Sequence, residues 1–272
     1  MRNLLLFLSL TYIFYSCNPN NPAPNCTFTY SSWSGCTSGI QTRTYTVSPA
    51  GCTGTPPPDS LTRVCTSIVS NPGNGVTFDG VTYSSIVLGN GQEWMGENLR
   101  TTKYANGDPV TSSGATTSWA NMTTQNQEAV YNVTATSEKL YNFFAVVDPR
   151  NLCPTGWHVP SDTEWTLLTD YLGGENTAGG KMKVTGTGFY PNWSHPNQDA
   201  TNEIGFSALP AGYINSNGSG SYDANYGHWW SSTELIGGAG DAWYRSASYS
   251  NGMLGRSFIS QGVGYSVRCI KD

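Results

Sequence analysis

Residues 192–203 hold the densest run of side chains that could do chemistry: Asn192-Trp193-Ser194-His195-Pro196-Asn197-Gln198-Asp199-Ala200-Thr201-Asn202-Glu203. Hard oxygen donors of this kind suit a calcium ion, with Asp199 and Glu203 as its carboxylates and Asn197 and Asn202 as further oxygen ligands. An exposed Trp193 beside them would suit the apolar face of a sugar, and Glu234 could add one more ligand. The same residues would also serve simply to turn a loop, with Trp193 covering a core edge and Glu234 accepting a hydrogen bond at a strand end. No other cofactor is implied.

For catalysis the pattern is thin. The three histidines, His158, His195 and His228, stand in separate segments, so only the fold could assemble a triad from them. There is no GxSxG, no HExxH, no GxGxxG opening a helix and no phosphate loop. Strand tryptophans such as Trp229, Trp230 and Trp243 more often fill a core than bind a ligand. The expectation is a binding module and not an enzyme.

The seven cysteines speak to compartment. Met1 and Arg2 precede an apolar stretch at 4–15, too short to span a bilayer as a mature helix and of the length and charge of a secretion signal. Phe14-Tyr15-Ser16-Cys17 resembles the lipobox of bacterial lipoproteins, which implies lipidation of Cys17 and removal of residues 1–17. Asn- and Pro-rich residues 18–25 then form a tether. Six cysteines remain, Cys26, Cys36, Cys52, Cys65, Cys153 and Cys269, an even number that suits full pairing in an oxidising compartment. An exported, lipid-anchored protein of the bacterial outer membrane or cell surface follows.

Four of those cysteines crowd into residues 26–65, a segment too small for a core, so covalent staples must order it. Four cysteines allow three connectivities. The text Cys26-Thr-Phe-Thr-Tyr-Ser-Ser-Trp33-Ser-Gly-Cys36, followed by Arg43, Cys52 and Arg63-Val-Cys65, resembles a thrombospondin type 1 repeat. The resemblance implies that Trp33 stacks on the Arg43 guanidinium. Residues 66–75 carry no apolar period and read as a linker.

The larger domain, 76–272, opens with a hairpin signal, Asp79-Gly80 between alternating runs. Residues 100–127 read as polar loop. Ser161 followed by Glu164 is a capping box, after which Trp165, Leu168 and Leu172 fall on one helix face and Gly173-Gly174 ends it. A second short helix is expected around 177–184. Short aromatic strands follow at 206–213, 228–232, 242–248, 257–259 and 265–270, so the expected class is α+β. A net charge of -5 with 13 scattered Lys and Arg excludes a basic stripe for nucleic acid.

Gln92-Glu-Trp94-Met-Gly-Glu97-Asn98-Leu99, Leu140-Tyr141-Asn142, Cys153-Pro-Thr-Gly156-Trp157-His158-Val-Pro160-Ser161-Asp-Thr-Glu164-Trp165, Thr201-Asn202-Glu203-Ile-Gly205-Phe206, Trp229-Trp230-Ser-Ser-Thr-Glu234 and Tyr265-Ser-Val-Arg268-Cys269 resemble the Fibrobacter succinogenes major paralogous domain. That family in turn looks like an outlying member of the C-type-lectin-like fold. The likeness implies two short helices beside a small, mostly antiparallel sheet, and a Cys153–Cys269 disulfide tying the helical part to the last strand. The calcium-chelating triplets of sugar-binding C-type lectins do not occur in this chain. The favoured function is a binding or adhesion module for a glycan or protein. A structural envelope component is the alternative, and an uncharacterised enzyme a third reading.

Overall fold

The computed structural model describes residues 27–30, 40–42, 44–48, 61–64, 70–112, 116–124, 127, 129–133, 137–188, 192–221, 224–238 and 240–272. The expected signal at 1–17, Cys17, the tether at 18–25, and Cys26, Trp33, Cys36, Arg43, Cys52 and Cys65 lie outside the described residues. The chain divides into two compact units, Met1–Ser67 and Ile68–Asp272. Among the described residues no helix is long and apolar enough to cross a membrane.

In the small unit, β1 (Thr27–Tyr30) pairs antiparallel with β3 (Tyr45–Ser48), and β2 (Ile40–Thr42) with β4 (Thr62–Val64). The Thr-Phe-Thr-Tyr alternation puts Phe28 on the inner face, where it is buried and its ring lies 5.7 Å from that of Tyr45.

The large unit begins earlier than the hairpin signal indicates. β5 (Ser70–Pro72), within the stretch read as a linker, is the edge strand of a five-stranded sheet and pairs with β8 (Ser85–Leu88). Pro72 lacks an N–H, which an edge position tolerates. The hairpin itself is as expected: β6 (Val76–Phe78) and β7 (Val81–Tyr83) flank Asp79 and Gly80, whose φ of 45° and 76° make a two-residue turn of the hairpin type. Next to β8 comes β9 (Glu93–Met95). The sheet is completed by β18 (Ile270–Lys271) and β12 (Trp157–His158), in the order β12-β18-β9-β8-β5 with every neighbour antiparallel.

Residues 100–127 are not all loop. They contain α1 (Thr116–Thr124), held by Trp119, which is fully buried and donates its indole N–H to the Gly262 carbonyl at 3.1 Å. Trp119, with Met122 packed beside it, anchors a helix whose remaining residues are Ala120 and small polar Thr, Ser and Asn. β10 (Val130–Asn132) and β11 (Lys139–Tyr141) form a second hairpin, followed by the single turn α2 (Phe143–Val146), capped by the Asn142 side chain.

The capping box is formed. Ser161 Oγ accepts from the Glu164 N–H, the Glu164 carboxylate accepts from the Ser161 N–H, and α3 (Asp162–Tyr171) buries Trp165 and Leu168, with Leu172 buried just beyond its end. Gly173 and Gly174 take φ of 96° and 92°, left-handed values closed to most residues. α4 (Glu175–Met182) carries two internal glycines because its backbone runs against other backbone there. A Cβ at Gly179 would overlap the Met253 carbonyl oxygen, and one at Gly180 would stand 2.5 Å from the Asp199 carbonyl oxygen.

After the short hairpin β13 (Tyr213–Ile214) and β14 (Gly220–Ser221), a three-stranded antiparallel sheet forms from β15 (Tyr226–Glu234), β16 (Asp241–Ser248) and β17 (Leu254–Ser260). Its register pairs His228 with Ser246, Trp230 with Tyr244, and Tyr244 with Ser257. Because alternate residues share a face, Tyr226, His228 and Trp230 stand with Tyr244 and Ser246, while Trp229, Trp243, Arg245, Arg256 and Phe258 face the other way.

The expected C-type-lectin-like α+β class is overturned. Among the described residues strand makes up 37% and helix 14%, in several small antiparallel sheets with four helices, where two helices beside one sheet were expected. Most of these strand pairings are local hairpins or short-range pairs, while β18 alone of these strands ties in distant chain, pairing Ile270 with Trp94 and Lys271 with Trp157. The Cys153–Cys269 disulfide is present, with Cα atoms 6.0 Å apart, and closes a separation of 116 residues. A loop of that order removes about 4–5 kcal/mol of unfolded-state freedom in the chain-entropy picture.

Candidate functional site

In the oxygen-rich stretch at 192–203, Trp193 and Asn197 are buried and Asn202 is half-buried, while Asn192, His195, Gln198, Asp199, Thr201 and Glu203 are exposed. Trp193 is not a platform: it is fully buried, and its indole N–H donates to the Ala208 carbonyl at 2.9 Å. Asn197, also buried, donates through Nδ2 to the carbonyls of Val184 (2.9 Å) and Gly186 (2.8 Å). Asn202 Oδ1 accepts from the Ser207 N–H at 2.8 Å, and its Nδ2 donates to Ser207 Oγ at 3.2 Å. Asn197, Asp199 and Asn202 all sit at positive φ (48°, 61° and 48°), which explains their residue type, since Asn and Asp tolerate that region best after glycine.

The carboxylates of the stretch do not gather either. Asp199 accepts from the Gln198 side chain at 2.9 Å, and Glu203, at the surface, lies 3.9 Å from Lys181 Nζ. Glu234 is exposed at the end of β15. Among the described residues no group of three or more His, Cys, Asp and Glu side chains is placed to hold a metal ion.

The stretch does surround a cation, but one supplied by the chain. Lys183 is fully buried, and its ammonium donates to the carbonyls of Gln198 (2.8 Å), Ser248 (2.8 Å) and Asn251 (2.9 Å). Burial lowers its pKa to about 8, against the pull of the nearby Asp199 carboxylate. Three carbonyls match the three ammonium protons, so this lysine stitches 198 to the turn after β16. Sequence reading passed over Lys183, because nothing local marks a lysine as buried.

The motif residues that carry the family likeness have the same inward character. Arg268 is fully buried. Its guanidinium donates to the carbonyls of Met95 (3.0 Å) and Phe206 (2.6 Å) and to Asn98 Oδ1 (2.8 Å), and lies 3.9 Å from the Phe206 ring centre. Asn98 also accepts from the Trp229 indole at 2.8 Å and donates to the buried Glu138 carboxylate at 2.7 Å. Burial raises the Glu138 pKa, opposed by the Asn98 hydrogen bond and by Arg100 and Arg268. His158 is held between two carboxylates, Asp272 at 2.7 Å and Glu164 at 2.9 Å; burial works to lower its pKa, yet the two partners outweigh that and raise it. It joins the last strand to the start of α3.

An aromatic cluster in the large unit reaches the surface. Tyr226, His228 and Tyr265 form a column of near-parallel rings: Tyr226 and His228 have centroids 6.0 Å apart at 21°, and His228 and Tyr265 4.6 Å at 17°. Tyr213 and Tyr244 meet the imidazole edge-on, each at 5.7 Å. The inner end of the column rests on buried Trp230, 4.9 Å from Tyr265, and the Tyr265 hydroxyl is bonded to Tyr244. The outer end, Tyr226, is 44% exposed, with Tyr213, His228 and Tyr244 half-buried around it. Glu234, an expected ligand residue, stands at the far end of the same face by its pairing with Ala242. The rings come from residues scattered over 213–265, and the one local signal that could have found them is the i, i+2, i+4 run Tyr226, His228, Trp230.

Residues 87–271 match the family model described as the Fibrobacter succinogenes major domain. No curated protein and no solved structure matches the chain.

Proposed function

The chain belongs to the Fibrobacter succinogenes major domain family, and we propose that it is an exported, lipid-anchored module of the bacterial envelope whose large unit displays a binding surface to an extracellular glycan or protein. In this reading Cys17 carries the lipid, residues 18–25 are the tether, and the small unit is a thrombospondin type 1-like spacer. It is not an enzyme. Export is supported by the charged-then-apolar start of the sequence and by the buried Cys153–Cys269 disulfide, a bond that persists in oxidising compartments.

The observation that carries the binding reading is the ring column ending in Tyr226. The Trp94, Trp165, Phe206 and Trp229 cluster is fully buried, and Trp243, whose ring meets the exposed Phe258, is covered by the Arg256 guanidinium at 3.5 Å. A surface tyrosine backed by five further rings is rigid, amphipathic contact area with little side-chain freedom left to lose on binding.

The test uses whole cells. Cells expressing the native chain should be retained on surfaces coated with extracellular polysaccharides or proteins, while Cys17→Ser cells, which release the protein, should not. Added free protein should compete with the native cells. Equal retention of both cell types without competition would contradict the proposal.

A further inference from the structure

We infer that the Tyr226 end of the β15–β17 sheet is a saccharide site, taking one hexopyranose ring of a neutral, equatorially linked polysaccharide on Tyr226, with hydroxyl contacts from Tyr213, Ser246 and Ser248. The inference rests on the binding reading above and names its ligand class and its place.

Three features lead there. First, the platform is built before any ligand arrives. Tyr226 is the exposed end of a column that descends through His228 and Tyr265 to buried Trp230, and Tyr213 and Tyr244 hold the imidazole edge-on from either side. The 6.0 Å between the Tyr226 and His228 centroids leaves no room for a ring between them, so a ligand ring stacks on the outer face of Tyr226.

Second, the described strand positions around the column are neutral and rich in hydroxyls. From Tyr226 to Trp230, and at the partner positions Tyr244, Ser246, Ser248, Gly255 and Ser257, the strands place no carboxylate, lysine or arginine on this face. Such a surface offers no countercharge to an anionic polymer or to a charged peptide. It does offer what a sugar needs: an aromatic plane for axial C–H bonds and neutral hydroxyls that both donate and accept. Pyranoses with equatorial substituents present flat C–H faces, which selects equatorially linked chains over axially linked ones.

Third, the face is kept open. Gly255 stands beside Ser246, and a Cβ there would lie 2.9 Å from Ser246 Oγ. The bare backbone leaves the serine hydroxyl accessible from above, and Ser257, two residues on, is exposed on the same face.

The experiment is calorimetric titration of the full chain, in a detergent without sugar groups, with cellohexaose as probe and maltohexaose and an oligogalacturonate as comparators. The expected result is binding of cellohexaose in preference to the other two, unchanged by a calcium chelator. Tyr226→Ala should weaken it about tenfold, and Tyr226→Phe, which keeps the ring, should stay within about threefold of native. Phe258→Ala removes an equally exposed ring from the opposite face, 48% exposed, and should change nothing. Saccharide binding that survives Tyr226→Ala, or that the chelator abolishes, would overturn the site while leaving the binding reading intact. Equal loss with Phe and Ala would overturn the stacking. Binding of none of the three probes by the native chain would overturn the ligand class, and cell retention on protein coatings would then decide the broader reading.

Discussion

The stretch at 192–203 and the Tyr226 end of the β15–β17 sheet make opposite use of residues that look suited to ligands. The first is dense in oxygen donors and aromatic character along the sequence, and its aromatic and both of its turn asparagines serve the fold: Trp193 in the core, Asn197 and Asn202 holding backbone, the Gln198 carbonyl on Lys183. The second is assembled from tyrosines and a histidine far apart in the chain, and its outermost ring remains at the surface. Density of functional groups in sequence is therefore a poor guide when those groups sit at positive φ. There a side-chain amide or carboxylate is wanted first for the turn, and only what is left over can meet a ligand.

The sharpest way to break this contrast is Trp193→Ala. If Trp193 is core, its removal should cost about 3–5 kcal/mol in urea unfolding; a platform residue would cost almost nothing. Lys183→Met comes next. It keeps length and apolar contact but leaves three buried carbonyls without their donor, so a loss of about 3 kcal/mol is expected by the same assay.

Acid should act outside both regions. Burial works to raise the pKa of Asp79, but the Thr102 hydrogen bonds and the Lys103 ion pair at 3.0 Å hold it at about 2, below the ordinary 3.8. The unfolded chain then binds the proton more readily, so the stabilisation is present above about pH 4 and is lost as pH falls through about 2. A contribution of about 1–2 kcal/mol is expected, seen as a flatter acid limb in Asp79→Asn. Smallest of all, Tyr226→Ala should change stability by less than about 0.5 kcal/mol, because a ring at the end of the column supports nothing above it. A large loss there would turn the face into core and dissolve the contrast.

How much of this was legible in the sequence follows range. Features written within a few residues came through: the Ser161–Glu164 capping box, the Trp165, Leu168 and Leu172 stripe, and the Asp79-Gly80 turn. So did the family motifs, although what they encode is a buried network around Arg268 and Asn98 and not a ligand site. What failed depended on distant partners. Ser70–Pro72 looks like linker until β8 lies beside it, and α1 looks like loop until Trp119 finds the Gly262 carbonyl. The lectin-like class failed for a different reason: many short strands, most of them paired locally, outweigh the helices. The ring column was half visible, because the alternation of Tyr226, His228 and Trp230 is local while Tyr213, Tyr244 and Tyr265 join only in space.

The most direct test of the central claim is an NMR titration of the full chain, labelled in its aromatic and asparagine side chains, with cellohexaose. The account predicts that Tyr226, Tyr213 and His228 signals shift in step with binding while the Asn197 and Asn202 amides and the Trp193 indole stay in place. Shifts at Trp193, Asn197 and Asn202 with the Tyr226 ring unmoved would contradict it.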